Sequence, residues 1–176
     1  MDYKFKNIDI NTFNLDPRDS IDINIEKIIS LVIELEKQNG LDMEEIKYKY
    51  THGHCGDLAR LIQYVLRVAT GQKCQCLPVD LNINDASGNS MSSCEHMYIV
   101  IKDPQAKNLF DKVYYDILGK HHSKDYGKFT SDPYFVDKNL KNKYLGDNAI
   151  QNKDKWEKDF QLIFNTILEK LDVKTM

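Results

Sequence analysis

The stretch His54-Cys55-Gly56-Asp57-Leu58-Ala59-Arg60-Leu61-Ile62-Gln63-Tyr64-Val65-Leu66 places a thiol at the mouth of an apolar-periodic run. Leu58, Leu61, Ile62, Val65, Leu66 and Ala69 recur at i, i+3, i+4 spacing, which predicts an amphipathic helix that Gly71 ends. Burying about six such side chains contributes on the order of ten kcal/mol before entropy is subtracted, so the helix is expected to be central. Its first residue is then Cys55. At a helix start the unpaired N–H groups and the positive end of the dipole favour thiolate over thiol.

Two strand-like segments follow. His96-Met97-Tyr98-Ile99-Val100-Ile101 alternates, with His96, Tyr98 and Val100 on one face. A further run, Leu109 to Ile117, follows the Asp103-Pro104 turn and holds Tyr114 and Asp116 on one side. If these two pair as a hairpin centred on residue 106, His96 lies beside Asp116. The carboxylate is then expected to accept the imidazole Nδ1–H while Nε2 faces the thiol, with the cysteine helix packed on that same sheet face. Nucleophile, base and orienter occur in that chain order.

Around this core the chain reads as helices and loops. Ser20 or Asp22 caps a helix with Ile25, Ile28, Ile29, Val32 and Leu35 on one face, stopped near Gly40. Asp42 with Glu45 has capping-box spacing and opens a shorter helical turn toward Tyr50. Cys74 to Ile83 reads as a strand that Pro78 pushes toward an edge, and Asn84 to Ser93 reads as a polar loop. A long polar segment is expected from Lys120 to Asn152, with His121 and His122 as solvated loop residues. Trp156, Phe160, Ile163, Phe164, Ile167 and Leu171 mark a closing helix over about 153–171.

A length of 176 residues suits a single domain, 1–176. The net charge of −3, with lysines dispersed among acids, gives no footprint for nucleic acid. No apolar run approaches the roughly 20 residues that span a bilayer, and the first residues lack a secretory pattern, so a cytoplasmic location without membrane partners is expected. The four cysteines are expected to be free thiols. A competing pattern is structural zinc at Cys74, Cys76, Cys94 and His96, although each pair has a single intervening residue instead of the usual two to four.

Gly53-His54-Cys55-Gly56-Asp57-Leu58-Ala59, His96-Met97-Tyr98-Ile99-Val100 and Tyr115-Asp116-Ile117-Leu118-Gly119 together resemble the papain-like and transglutaminase-like cysteine enzyme superfamily. In that superfamily a helix-start Cys is followed by a strand His and then a strand Asp or Asn. The resemblance covers residues 53–119. It implies an α+β fold in which the cysteine helix packs on a mainly antiparallel sheet, flanked by N- and C-terminal helices. It also implies Cys55 as nucleophile, His96 as base and acid, and Asp116 as orienter.

The implied activity is thiol-dependent acyl chemistry without a cofactor: a thiol protease or other hydrolase, a deamidase, or a transglutaminase-type transferase. The implied partner is a protein or peptide substrate, with an amine acceptor in the transfer version. Papain-type proteases carry a Gln a few residues before the Cys to help form the oxyanion hole; here that stretch is Tyr48-Lys49-Tyr50-Thr51-His52. The Cys55 N–H is one donor, and Tyr50, His52 and His54 are the candidates for oxyanion or substrate binding. The alternative from another class is a non-enzymatic binding module stabilised by the zinc set above.

Overall fold

The run after Cys55 forms helix α3, Cys55–Thr70, in the computed structural model. The backbone is described for residues 14–51, 53–84, 90–108, 111–122 and 149–172, and within these no side chain is described for 79–84, 90–95, 149–153 and 170–172. Before α3 come α1, Ile21–Gln38, and α2, Met43–Thr51. After it come β1, Gln75–Asn84, β2, Ser90–Lys102, β3, Lys112–Asp116, and β4, Gly119–His122, and then α4, Ala149–Asp172. The fold is α+β, four helices with one antiparallel sheet in the order β1-β2-β3-β4.

Local chemistry explains most boundaries. Ser20 is the N-cap of α1. Asp42 Oδ1 accepts the Glu45 N–H at 2.8 Å, satisfying an orphan donor of α2. The Glu45 carboxylate does not complete a capping box there; it accepts the Trp156 indole N–H at 3.2 Å and ties α2 to α4. Gly71, at φ +73°, ends α3 in the left-handed conformation that costs a glycine nothing, and its N–H bonds the Arg67 carbonyl.

Three sequence expectations shift at their edges. β2 begins at Ser90, so it takes in the end of the polar stretch expected to be loop, and α4 begins at Ala149. Residues 119–122, expected to open a long polar segment, form β4 instead. The rest of that segment, 123–148, lies outside the described residues.

The core is shared by the helices and one sheet face. Ile25, Ile28, Val32 and Leu35 of α1, Leu58, Leu61, Ile62, Val65 and Leu66 of α3, and Trp156, Phe160, Ile163 and Ile167 of α4 are buried together with Ile99, Ile101, Val113 and Tyr115. By strand alternation these last four share a face, so the body of α3 covers the face opposite His96 and Tyr98. The expected packing of α3 on the His96 face is therefore reversed. That face carries the two isoleucines of β2, Ile99 and Ile101, paired with Tyr115 and Val113 of β3.

One charged group sits inside the helical layer. Glu36 and Lys49 are both 0 % exposed; the Lys49 ammonium donates to Glu36 Oε1 at 2.7 Å, and the Tyr50 hydroxyl donates to the same oxygen at 2.6 Å. Burial pulls the Lys49 pKa down, opposed by the Glu36 carboxylate. Removing one partner from such a pair strands the other charge, which costs about 3–5 kcal/mol. Lys49→Met is expected to lose about that much stability in urea unfolding, and Lys49→Met/Glu36→Leu to recover most of it. A double variant no more stable than the single would show that the pair is not the source of the loss.

Candidate active site

Cys55 stands at the first turn of α3, after the N-cap His54. His96 lies on β2 and Asp116 ends β3. The structure brings the three together. His96 Nε2 is 2.9 Å from Asp116 Oδ2, and the Cys55 thiol lies close enough to the His96 ring for that ring to act on its charge. The body of α3 covers the other sheet face, and at its first residue the Cys55 thiol is also acted on by the backbone N–H of Met97, next to this histidine in β2.

The register that achieves this differs from the expected one. β2 and β3 pair Ile99 with Tyr115 and Val100 with Tyr114, so Asp116 continues opposite Tyr98, and His96 is its diagonal neighbour. A diagonal pair is still within reach of long or aromatic side chains. The ring is also turned round. Asp116 takes Nε2, leaving the buried Nδ1 as the nitrogen for the thiol, the reverse of the expected assignment. An ionised carboxylate only accepts, so Nε2 must carry its proton.

The electrostatics favour a charged pair. Burial raises the Cys55 pKa, but the His96 hydrogen bond and charge, with the backbone N–H groups of Met97 and Gly56, outweigh it, and the thiol lies below its ordinary value. Burial lowers the His96 pKa, yet Asp116 and Cys55 lift it to about 9. Burial raises the Asp116 pKa as well, and hydrogen bonds from His121 and then His96 bring it below the usual carboxylate value. Cys74 is pushed up to about 12 by burial and its neighbour Cys76, and burial also raises Cys76. The three described thiols are thus sharply unlike one another.

The remaining sequence candidates fall elsewhere. Tyr50 is 0 % exposed with its hydroxyl given to Glu36, so it offers nothing at the thiol. His54 is buried among Tyr50, Trp156 and Phe160, with Nδ1 3.0 Å from Asp57 Oδ2. His52 lies outside the described residues. As the first helical residue, Cys55 has a backbone N–H that makes no intrahelical bond.

The zinc set is separated by register. Cys76 pairs with Ile99 while Cys94 pairs with Asp80, four positions along β1, a separation of about 13 Å at ~3.3 Å per residue. Ligands on one zinc must have sulfurs within about 4 Å of each other. Among the described residues, the one group of His, Cys, Asp and Glu close enough to hold a metal is His54, Asp57 and Glu157, with ligand atoms within 4.8 Å. It includes no member of the Cys55–His96–Asp116 set.

His121, expected to be a solvated loop residue, is 11 % exposed on β4, with Nε2 2.8 Å from Asp116 Oδ1. The sequence signal for it was faint. β3 and β4 join through the two-residue loop Ile117-Leu118, which lacks the Asn-Gly or Asp-Gly chemistry usual there. The turn is instead closed by Asp116 Oδ1 accepting the Leu118 N–H at 2.8 Å and by Gly119 at φ +104°. His122 is exposed.

No protein-family model, no curated protein and no solved structure matches the chain. Among the described residues no helix is long and apolar enough to cross a membrane.

Because the folded His96 pKa of about 9 lies above 6.5, its protonated ring stabilises the fold fully below pH 6.5, and that contribution is lost as pH rises through about 9. The lowered Cys55 pKa acts in the opposite sense: its contribution is present above 9.0 and lost as pH falls through the folded value. In NMR titration the His96 ring is expected to titrate near 9 and to drop in Cys55→Ala, which removes the thiolate's share of the shift. A His96 midpoint near 6.5 in the native chain would contradict the charged pair.

Proposed function

We propose that this protein is a cysteine hydrolase or acyltransferase with a papain-like or transglutaminase-like core, working through Cys55, His96 and Asp116. The observation that carries the reading is the hydrogen bond from His96 to the buried Asp116 carboxylate, with the Cys55 thiol close enough to the same ring for its charge to be felt. A lowered thiol beside a raised imidazole is the arrangement a thiolate nucleophile needs.

In this mechanism the Cys55 thiolate adds to an amide or ester carbonyl of a protein or peptide, forming a tetrahedral oxyanion that the Cys55 backbone N–H can bind. His96 Nδ1–H then protonates the departing amine or alcohol as the C–N or C–O bond breaks, leaving a thioester on Cys55. Now neutral, His96 takes a proton from water or from an acceptor amine, which attacks the thioester and releases the thiolate. Water gives hydrolysis or deamidation; an amine gives transfer. Asp116 holds the ring in the Nε2–H form and stabilises its positive charge throughout.

Thiol reactivity tests the reading without a known substrate. Iodoacetamide at near-neutral pH is expected to label Cys55 well ahead of Cys74 and Cys76, and His96→Ala is expected to remove that lead. Peptide mapping after partial alkylation measures both. On a panel of peptide amides, activated esters, glutamine-containing proteins and amine donors, Cys55→Ala and His96→Ala are expected to abolish turnover. Asp116→Asn is expected to lose less, on the order of ten- to hundred-fold. Turnover that survives Cys55→Ala, or equal labelling of the three thiols, would sink the assignment.

A further inference from the structure

We propose that His121 is a positioning residue for this site, extending the Cys55–His96–Asp116 chain to a fourth member that holds the Asp116 carboxylate from its far side; the inference rests on the reading of Cys55 and His96 given above. The carboxylate is 3 % exposed and divides its two oxygens between separate donors. Oδ2 takes His96 Nε2–H at 2.9 Å, and Oδ1 takes His121 Nε2–H at 2.8 Å together with the Leu118 N–H at 2.8 Å. A carboxylate buried this deeply is driven toward its neutral form unless donors hold the charge. Of those acting on Asp116, the His121 hydrogen bond has the largest favourable effect.

His121 reaches this position through the β3–β4 hairpin. Asp116 pairs with Gly119 and Tyr114 with His121, so the histidine shares a sheet face with Asp116. Tyr98 stands between the two histidines, edge-on to His96 at 4.4 Å between ring centroids and to His121 at 5.8 Å, and limits how either ring can tilt. The two rings are thus fixed relative to the same carboxylate.

The arrangement gives a reason for Asp, where the resembled superfamily admits Asp or Asn. The amide of an Asn has one accepting oxygen and one donating NH2. It could accept from one histidine, and its NH2 would require the other ring to turn to the tautomer that accepts at Nε2. Only a carboxylate accepts from both histidines. Removing His121 leaves Oδ1 with the Leu118 N–H alone, so the carboxylate becomes a more basic partner for the His96 imidazolium.

The test is the titration of His96, followed by NMR in the full chain, beside the pH profile of Cys55 alkylation by iodoacetamide. His121→Phe keeps a flat ring and removes the donor; His121→Asn keeps an amide too short to reach Asp116; His121→Gln restores a donor near the Nε2 position. Phe and Asn are each expected to raise the His96 midpoint by about one unit, a tenfold change in the protonation equilibrium, because Asp116 no longer shares its charge with a second imidazole, and Gln to reverse most of it. In an Asp116→Asn background, His121→Phe is expected to add little, because the amide cannot accept from both rings.

A midpoint unchanged in both Phe and Asn variants would overturn the inference, and so would full additivity with Asp116→Asn. If one of the two variants fails to fold, the other decides. The proposed function fails by a different result, a wild-type Cys55 that labels no faster than Cys76, and the His96 titration still reads the His121 effect in that case.

Discussion

A buried carboxylate stays ionised only while donors surround it, and the placement of Asp116 organises this molecule's polar interior. It needs β2 on one side to bring His96 and β4 on the other to bring His121, so it binds three strands by side chains where the backbone ladder already joins them. The short loop Ile117-Leu118 is closed by the same carboxylate through the Leu118 N–H. Turn geometry, strand pairing and the charge of the site thus depend on one residue.

That anchor gives Cys55 its character. A helix start alone favours thiolate modestly, and burial works against it. The imidazolium decides the balance, and it exists because Asp116 holds the His96 ring protonated to about pH 9. Cys74 shows the outcome without such a partner: burial dominates, and its thiol is pushed up to about 12. Two cysteines on adjoining elements are set apart by what lies beside them.

The helical layer solves a similar problem separately. Glu36, Lys49 and Tyr50 place a charged, hydrogen-bonded group between α1 and α2, where Tyr50 also packs on His54 and Phe160. This group fixes the loop that delivers Cys55: the His54 N–H bonds the Lys49 carbonyl, so the residue before Cys55 hangs from the end of α2. Trp156 on α4 closes the same corner by donating to Glu45. Cys55 is held by the helices and His96 by the sheet.

Local pattern alone determined α1, α3 and α4, the Asp42 cap, the Gly71 stop, the alternation of β2 and the position of Cys55 at a helix start, because helix and strand periods and end signals are properties of neighbouring residues. It also named His96 and Asp116, which the fold brings into contact. The register that makes them diagonal, the helix-bearing face of the sheet and the ring nitrogen that meets the thiol came from tertiary structure. These depend on how Ile99, Ile101, Val113 and Tyr115 are buried together across strands, and no local window carries that information. The same holds for Tyr50, withdrawn into a buried hydrogen bond with Glu36, and for His121, which meets Asp116 only once a hairpin without a recognisable turn sequence folds it back.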